Sequence, residues 1–202
     1  DEIFNYGEIS GDIILPGLTK EIFNAPDARM ESQLIRANGT VTFFQEGIVN
    51  PGGEYRIDNM VNDISYTTTD TSFYEADLVL RTGKTDNLTT LYKADLNGTV
   101  ELLANQVGQA VPGDFVSEGI VDAKGGITIG DLKFVAPKSA VASFDFQLKE
   151  QNTDLAFHYS VDYAPSGLDP NSKAVGEAVN RIQAAGSTDD FNSTAALIFA
   201  QE

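Results

Sequence analysis

Few residues in this 202-residue chain are of types that do chemistry. It has one histidine, His158, and no cysteine. A multi-histidine metal site, a zinc–thiolate site and a cysteine nucleophile are therefore excluded. His158 has the opposite parity to Phe157, Tyr159 and Val161, which predicts an outward-facing strand residue. Carboxylates are plentiful, and Glu75 with Asp77, Glu8 with Asp12, and Asp189 with Asp190 are spaced as candidate pairs. Glycoside hydrolysis needs two carboxylates roughly 5–9.5 Å apart. Two residues apart on a strand, Glu75 and Asp77 would share one face about 7 Å apart. With 30 acidic residues and no tryptophan to stack on a sugar, such pairs arise from composition alone. The pattern points away from an enzyme, and a polysaccharide-processing activity stands as an alternative. No Asp-x-Asp-x-Asp-Gly loop or Gly-Gly-x-Gly-x-Asp repeat is present, so no metal or cofactor is expected. Asn38, Asn87, Asn97 and Asn192 each open an Asn-x-Ser/Thr sequon, two of which double as Asn-Gly turns.

The elements that hold these residues read as short strands. From Ser72 to Leu103, Tyr74, Ala76, Leu78 and Leu80 share one parity, with Glu75 and Asp77 on the other. This is the period of a strand with one buried face. A second strand follows at 87–93, and Asn97-Gly98 predicts a tight turn before Val100 and Leu102. Nearer the N-terminus a glycine repeatedly precedes a β-branched residue: Gly7–Ile9, Gly11–Ile13, Gly39–Val41 and Gly47–Val49. Positive-φ corners between strands of three to five residues suit a coiled solenoid, and an antiparallel sandwich with glycine turns is the alternative. Weak alternation surrounds Tyr55, Ile57, Ile64 and Tyr66. Short strands follow at Phe115–Val121, Ile127–Ile129 and Leu132–Val135.

The clearest hairpin lies between Val141 and Tyr163. Phe144, Phe146 and Leu148 alternate on one arm and Leu155, Phe157, Tyr159, Val161 and Tyr163 on the other. A solenoid exposes its interior and an unpaired edge at its last coil, and this hairpin is predicted to cap it. Two helices end the chain. Asp169-Pro170 marks the first start, and Ala174, Val175, Ala178, Val179, Ile182 and Ala185 form its apolar stripe, with Gly186 at its stop. Ser187 with Asp190 predicts a capping box for a second helix carrying Phe191, Ala195, Ile198 and Phe199. The pair is either a tether toward another domain or folded back on the body.

A formal charge of −17 argues against nucleic acid and against anionic lipid surfaces. No apolar run approaches a membrane-spanning helix.

Taken in order, several phrases resemble the C-terminal part of bacterial type V autotransporter passenger domains. They are Asn5–Gly11, Pro51–Gly53, Tyr74–Leu78, Thr85–Leu88 and Ala94–Val100, and the match covers about residues 1–163. The 168–183 segment is similar to the helical stretch that precedes that family's membrane β-barrel. The resemblance implies an all-β, right-handed parallel β-helix with a C-terminal autochaperone cap and a short helical tail. Residues 1–71 would be stem coils, 72–163 the capping module and 164–202 a helical linker toward the barrel. It implies a structural, secretion-assisting role on the bacterial surface after passage through the periplasm. Its partner would be the chain's own translocator barrel, with adhesion to a host glycan or matrix protein as a further alternative. The barrel and secretory signal of the family are not in the sequence, which reads as a passenger fragment. Tyr74, Leu78, Leu80, Leu88, Leu96, Val100 and Leu102 would form the folding-nucleus core. Phe144, Phe146, Leu148, Leu155, Phe157, Tyr159 and Val161 would form the core of the cap.

Overall fold

The structure, a computed structural model, describes residues 2–18, 21–38, 42–53, 56–62 and 64–201. The expected glycine corner at Gly39–Val41, the rest of the Asn38 sequon, and Tyr55 lie outside the described residues.

The chain winds as a stack of coils. The first holds β1 (Glu2–Asn5), β2 (Glu8–Ser10) and β3 (Ile13–Leu18); the second holds β4 (Glu21–Asn24), β5 (Arg29–Glu31) and β6 (Leu34–Asn38). The third holds β7 (Thr42–Gln45), β8 (Ile48–Val49) and β9 (Asn59–Asn62). The fourth holds β10 (Ser65–Thr68), β11 (Phe73–Val79), the two-residue β12 (Lys84–Thr85) and β13 (Asn87–Thr90). The fifth is β14 (Ala94–Asn105) and β15 (Gly113–Ala123), and β16 (Ile127–Val135) begins a sixth. Apart from β12, which pairs antiparallel with β11, each strand pairs in parallel with its counterpart one coil away: Glu2 with Glu21, Glu21 with Thr42, Thr42 with Ser65, Tyr66 with Ala94, Ala94 with Ile127. Coils therefore lengthen toward the C-terminal end. Parallel neighbours need a crossover, and the winding of each coil supplies it. The antiparallel sandwich is not what forms.

Asn97-Gly98 is not a hairpin turn. β14 runs straight through it, pairing with β10 before it and β11 after it, and so joins two faces into one sheet. Gly98 has φ of +82°, and the register against β16 shifts there, so it turns a corner inside a continuous strand. Likewise, the expected strands at 127–129 and 132–135 are one strand, β16.

Stacking puts like beside like. Ile22, Phe43, Tyr66 and Ala94 form one inward column, and Met30, Val49, Tyr74 and Val100 another; all are buried. Phe43 and Tyr66 meet edge to face at 5.3 Å. One corner is polar. Asn5, Asn24, Gln45 and Thr68 are in register, each ending a first-face strand. Asn5 Nδ2 donates to Asn24 Oδ1 at 2.7 Å, and Asn24 Nδ2 donates to Gln45 Oε1 at 2.9 Å. The same amides also donate to the backbone carbonyls of Arg29, Ala28 and Ile48.

Of the predicted corner glycines, Gly11 has the expected positive φ, whereas Gly7 and Gly47 do not. Gly47 is needed for space, because a Cβ there would run into the carbonyl oxygens of Ala28 and Ala25. Gly47→Ala should cost about 1–3 kcal/mol in chemical denaturation, as an overpacked core site does. A loss under about 0.5 kcal/mol would contradict this close approach.

An antiparallel hairpin, β17 (Ala142–Lys149) with β18 (Asp154–Val161), closes the C-terminal end by pairing β18 with β15. Helices α1 (Pro170–Ala184) and α2 (Asp189–Phe199) then fold back on the body. Asp169 caps α1, accepting from the backbone N–H of Asn171 and Ser172 at 2.9 and 3.2 Å. For α2 the cap is Thr188, one residue later than expected, accepting from Phe191 N at 3.4 Å. Ser187 instead takes up a positive φ after Gly186, so its side chain is not placed to cap. Among the described residues, no helix is long and apolar enough to cross a membrane.

Candidate functional site

The predicted nucleus residues converge in the last coils. Tyr74 and Leu78 lie on β11, with Leu80 just after it; Leu88 is on β13, and Leu96, Val100 and Leu102 are on β14. All seven are buried in one cluster. On the cap, Leu155, Phe157, Tyr159 and Val161 of β18 are buried, while Phe144, Phe146 and Leu148 of β17 are half-covered and pack against the cluster. The difference is positional, since β18 lies between two strands and β17 is the sheet edge.

Aromatic rings join cap to coil. Phe134 of β16 touches Phe146 and Phe157, each at 5.6 Å, and Phe115 of β15 stacks on Tyr159 at 5.3 Å. Two phenols fasten backbone carbonyls across the core. Tyr159 donates to Leu80 O at 3.0 Å and Tyr74 to Ile120 O at 2.9 Å. Burial raises the pKa of both, so they stay protonated donors. His158 is exposed, as its parity predicts.

The carboxylates come out differently from the alternation. Glu75 is on the outer face, but Arg29 donates to it at 2.7 and 3.2 Å and Asn50 at 2.9 Å. This outer network ties β5, the turn after β8, and β11. Burial alone would lower the Arg29 pKa; the Glu75 and Glu31 carboxylates outweigh it and raise it.

Asp77, expected outward, is fully buried. Residues 56–58 and the turn after β12 cover that part of the outer face. Asp77 Oδ2 accepts from Arg56 N at 3.2 Å and Oδ1 from Asn105 Nδ2 at 3.0 Å. Beside it lies Asp86, also fully buried, which accepts from Asp58 N at 2.7 Å on Oδ1 and from Asp77 N at 2.9 Å on Oδ2. Burial pushes the Asp86 carboxyl up to about 8; the two backbone N–H groups pull against this, and the Asp77 and Asp58 charges add to it. Asp86 thus latches residues 56–58 to β11. Two phrases of the sequence, Tyr74–Leu78 and Thr85–Leu88, meet at this corner, joined by Arg56 and Asp58. The pairing of Asp86 with Asp77 escaped the alternation, although Asp86 sits inside one of those phrases.

Two sequon asparagines are structural. Asn97 donates to Thr68 O at 3.1 Å and accepts from Asp131 N at 3.0 Å, and Asn87 donates to Gly119 O. Among the described residues no group of three or more histidines and carboxylates is arranged to hold a metal ion.

On α1 the buried face is Gly176, Val179 and Gln183. The apolar stripe read from sequence is rotated, leaving Val175 63% and Ile182 39% exposed. Gly176 sets this rotation, because it lies against the Tyr163 carbonyl, and Gln183 Nε2 fixes it by donating to Gly108 O at 2.9 Å. On α2 the buried residues are Ala195 and Phe199.

Comparison with protein-family models, with curated proteins and with solved structures gives no match.

Proposed function

We propose that this chain is the capped end of a bacterial surface passenger. In this reading it is a right-handed parallel β-helix whose C-terminal module nucleates folding during export through an autotransporter barrel. The observation that supports the reading is the unlikeness of the two ends. At the C-terminal end, β17, β18, α1 and α2 cover the last coil with aromatic and aliphatic side chains. At the other end, β1, β2 and β3 each pair on one side only among the described strands. Ile3 and Ile9 there are half-exposed, whereas their counterparts Ile22 and Met30 are fully buried. Stacked coils grow by nearest-neighbour contacts from a nucleus that is costly to form. A covered end that folds first removes that cost.

Refolding kinetics test the order. Leu88→Ala removes a buried side chain in the fourth coil, toward the capped end, and Ile22→Ala removes one in the second coil. Each should lose about 2–5 kcal/mol. Leu88→Ala should slow refolding, and Ile22→Ala should act chiefly on unfolding. The reverse assignment would sink the nucleus. The export step has its own readout. Carried ahead of a translocator barrel, Leu88→Asp and Phe146→Asp should abolish surface display, and normal display of both would refute the role.

A further inference from the structure

Among the described residues, β1, β2, β3, β12, β16 and β17 each pair on one side only. Such an edge is a row of backbone donors and acceptors that invites another strand, and folded proteins blunt it. Here β1, β2 and β12 are blunted by shortness, at four, three and two residues. β3 contains Pro16 and a register break between Leu15 and Leu18. β16 is interrupted at Gly130-Asp131, where its register against β14 shifts. β17 has none of these devices. It runs for eight residues in unbroken register with β18, without proline, glycine or bulge.

Its neighbours fix which groups face the open side. Asp162 N donates to Val141 O at 2.8 Å, and Phe157 N turns away from β17 to Ser117 Oγ at 3.0 Å. Odd-numbered residues of β17 therefore bond to β18, and the N–H and C=O groups of Phe144, Phe146 and Leu148 point outward. The outward Phe146 N–H meets the carboxylate of its own neighbour, Asp145, at 2.8 Å.

We propose that this edge pairs with β17 of a second copy, antiparallel across a two-fold axis, so that the seven-stranded sheet continues from one molecule into the next. The charges of β17 suit its own copy. With Gln147 opposite Gln147, each Asp145 faces a Lys149, and Phe146 lies beside Leu148 on the half-covered apolar face. Lys149 already donates to Ser117 O at 3.1 Å, and an ammonium has donors to spare. The register centred on Asp145 opposes two carboxylates, and the one centred on Phe146 leaves both charges without an opposite partner. This contact is independent of the export role.

The test is sedimentation equilibrium of the 202-residue chain. The −17 charge of each copy works against association, so it belongs at about 0.15 M salt, where the Debye length is about 8 Å. A reversible monomer–dimer equilibrium is expected. Asp145→Lys and Lys149→Glu each set like charges in both facing pairs and should weaken the dimer about tenfold or more. Mixed in equal amounts, the two variants set opposite charges in both pairs, and a heterodimer should return. Gln147→Cys, on the axis of a chain with no cysteine of its own, should cross-link to a covalent dimer on mild oxidation, whereas the off-axis Ser143→Cys should not. That arm holds even where Lys149→Glu unfolds the chain. A chain monomeric up to about 1 mM overturns the proposal, as does a dimer that Asp145→Lys leaves intact. Slow hydrogen exchange of the Phe144 and Leu148 amides in a monomer gives the edge to another segment, and overturns it too.

Discussion

Replacing Asn24 with alanine should destabilise the chain by about 3–5 kcal/mol, more than the loss of an ordinary surface amide by far. Asn24 is fully buried and uses its side chain on four partners. It accepts from Asn5 and donates to Gln45 and to the carbonyls of Ala28 and Ile48. Alanine leaves those groups facing one another in a dry corner, where each unpaired group costs about 1–3 kcal/mol. Relaxation of the corner recovers part of that sum. Asn5→Ala should cost less, about 1 kcal/mol, since its coil is the outermost described and strips fewer partners. Guanidinium unfolding of the two variants measures the difference. An Asn24→Ala midpoint within 1 kcal/mol of the parent would show that the ladder is ornamental.

The second large effect is a dependence on pH. The folded-state pKa of Asp86 is about 8, against 3.8 for an ordinary aspartate. Between those values the folded chain holds a proton that the unfolded chain has released. Stability from this group is therefore greatest below about pH 4, falls as pH rises through the window, and levels above about pH 8. For a fully buried carboxyl the fall is on the order of several kcal/mol. The melting temperature should drop between pH 5.5 and 8.5, measured in a His158→Gln background that removes the chain's only histidine. Asp86→Asn should flatten the drop. It should also start lower, because one of the two backbone N–H donors, from Asp58 or Asp77, then faces an amide NH₂. The curves of parent and variant should converge or cross near pH 8. Parallel curves would mean that Asp86 is ionised throughout.

Alternation was a sound guide to the inward residues and to His158 and Glu75 outside, and it failed at Asp77. Tyr74, Leu78, Val100 and Leu102 are buried as their parity implies, because inward columns are built from one coil at a time. Asp77 has outward parity and is buried, because what covers it comes from residues 56–58 and 84–86, which no local period encodes. Asn97-Gly98 has a turn's composition in either a hairpin or a solenoid corner, and only the partners of β14 tell them apart. The same holds for the α1 stripe, where Gly176 outweighs two larger apolar residues by letting backbone approach backbone. Parallel rather than antiparallel pairing was not legible, since glycine spacing serves both. The register of Asn5, Asn24 and Gln45 was available in principle. Each follows an inward apolar residue by two positions, at a spacing that grows by only a little from coil to coil.

β1 and β4 carry the same four residues, Glu-Ile-Phe-Asn, and lie side by side in register. An edge strand that repeats the strand it is paired to offers a duplicate of itself the same register, so at this strand a coil copied in the gene would find the neighbour its parent had. Length in such a molecule is a heritable quantity that changes by whole coils, while the covered end, made of a hairpin and helices that occur once, stays fixed.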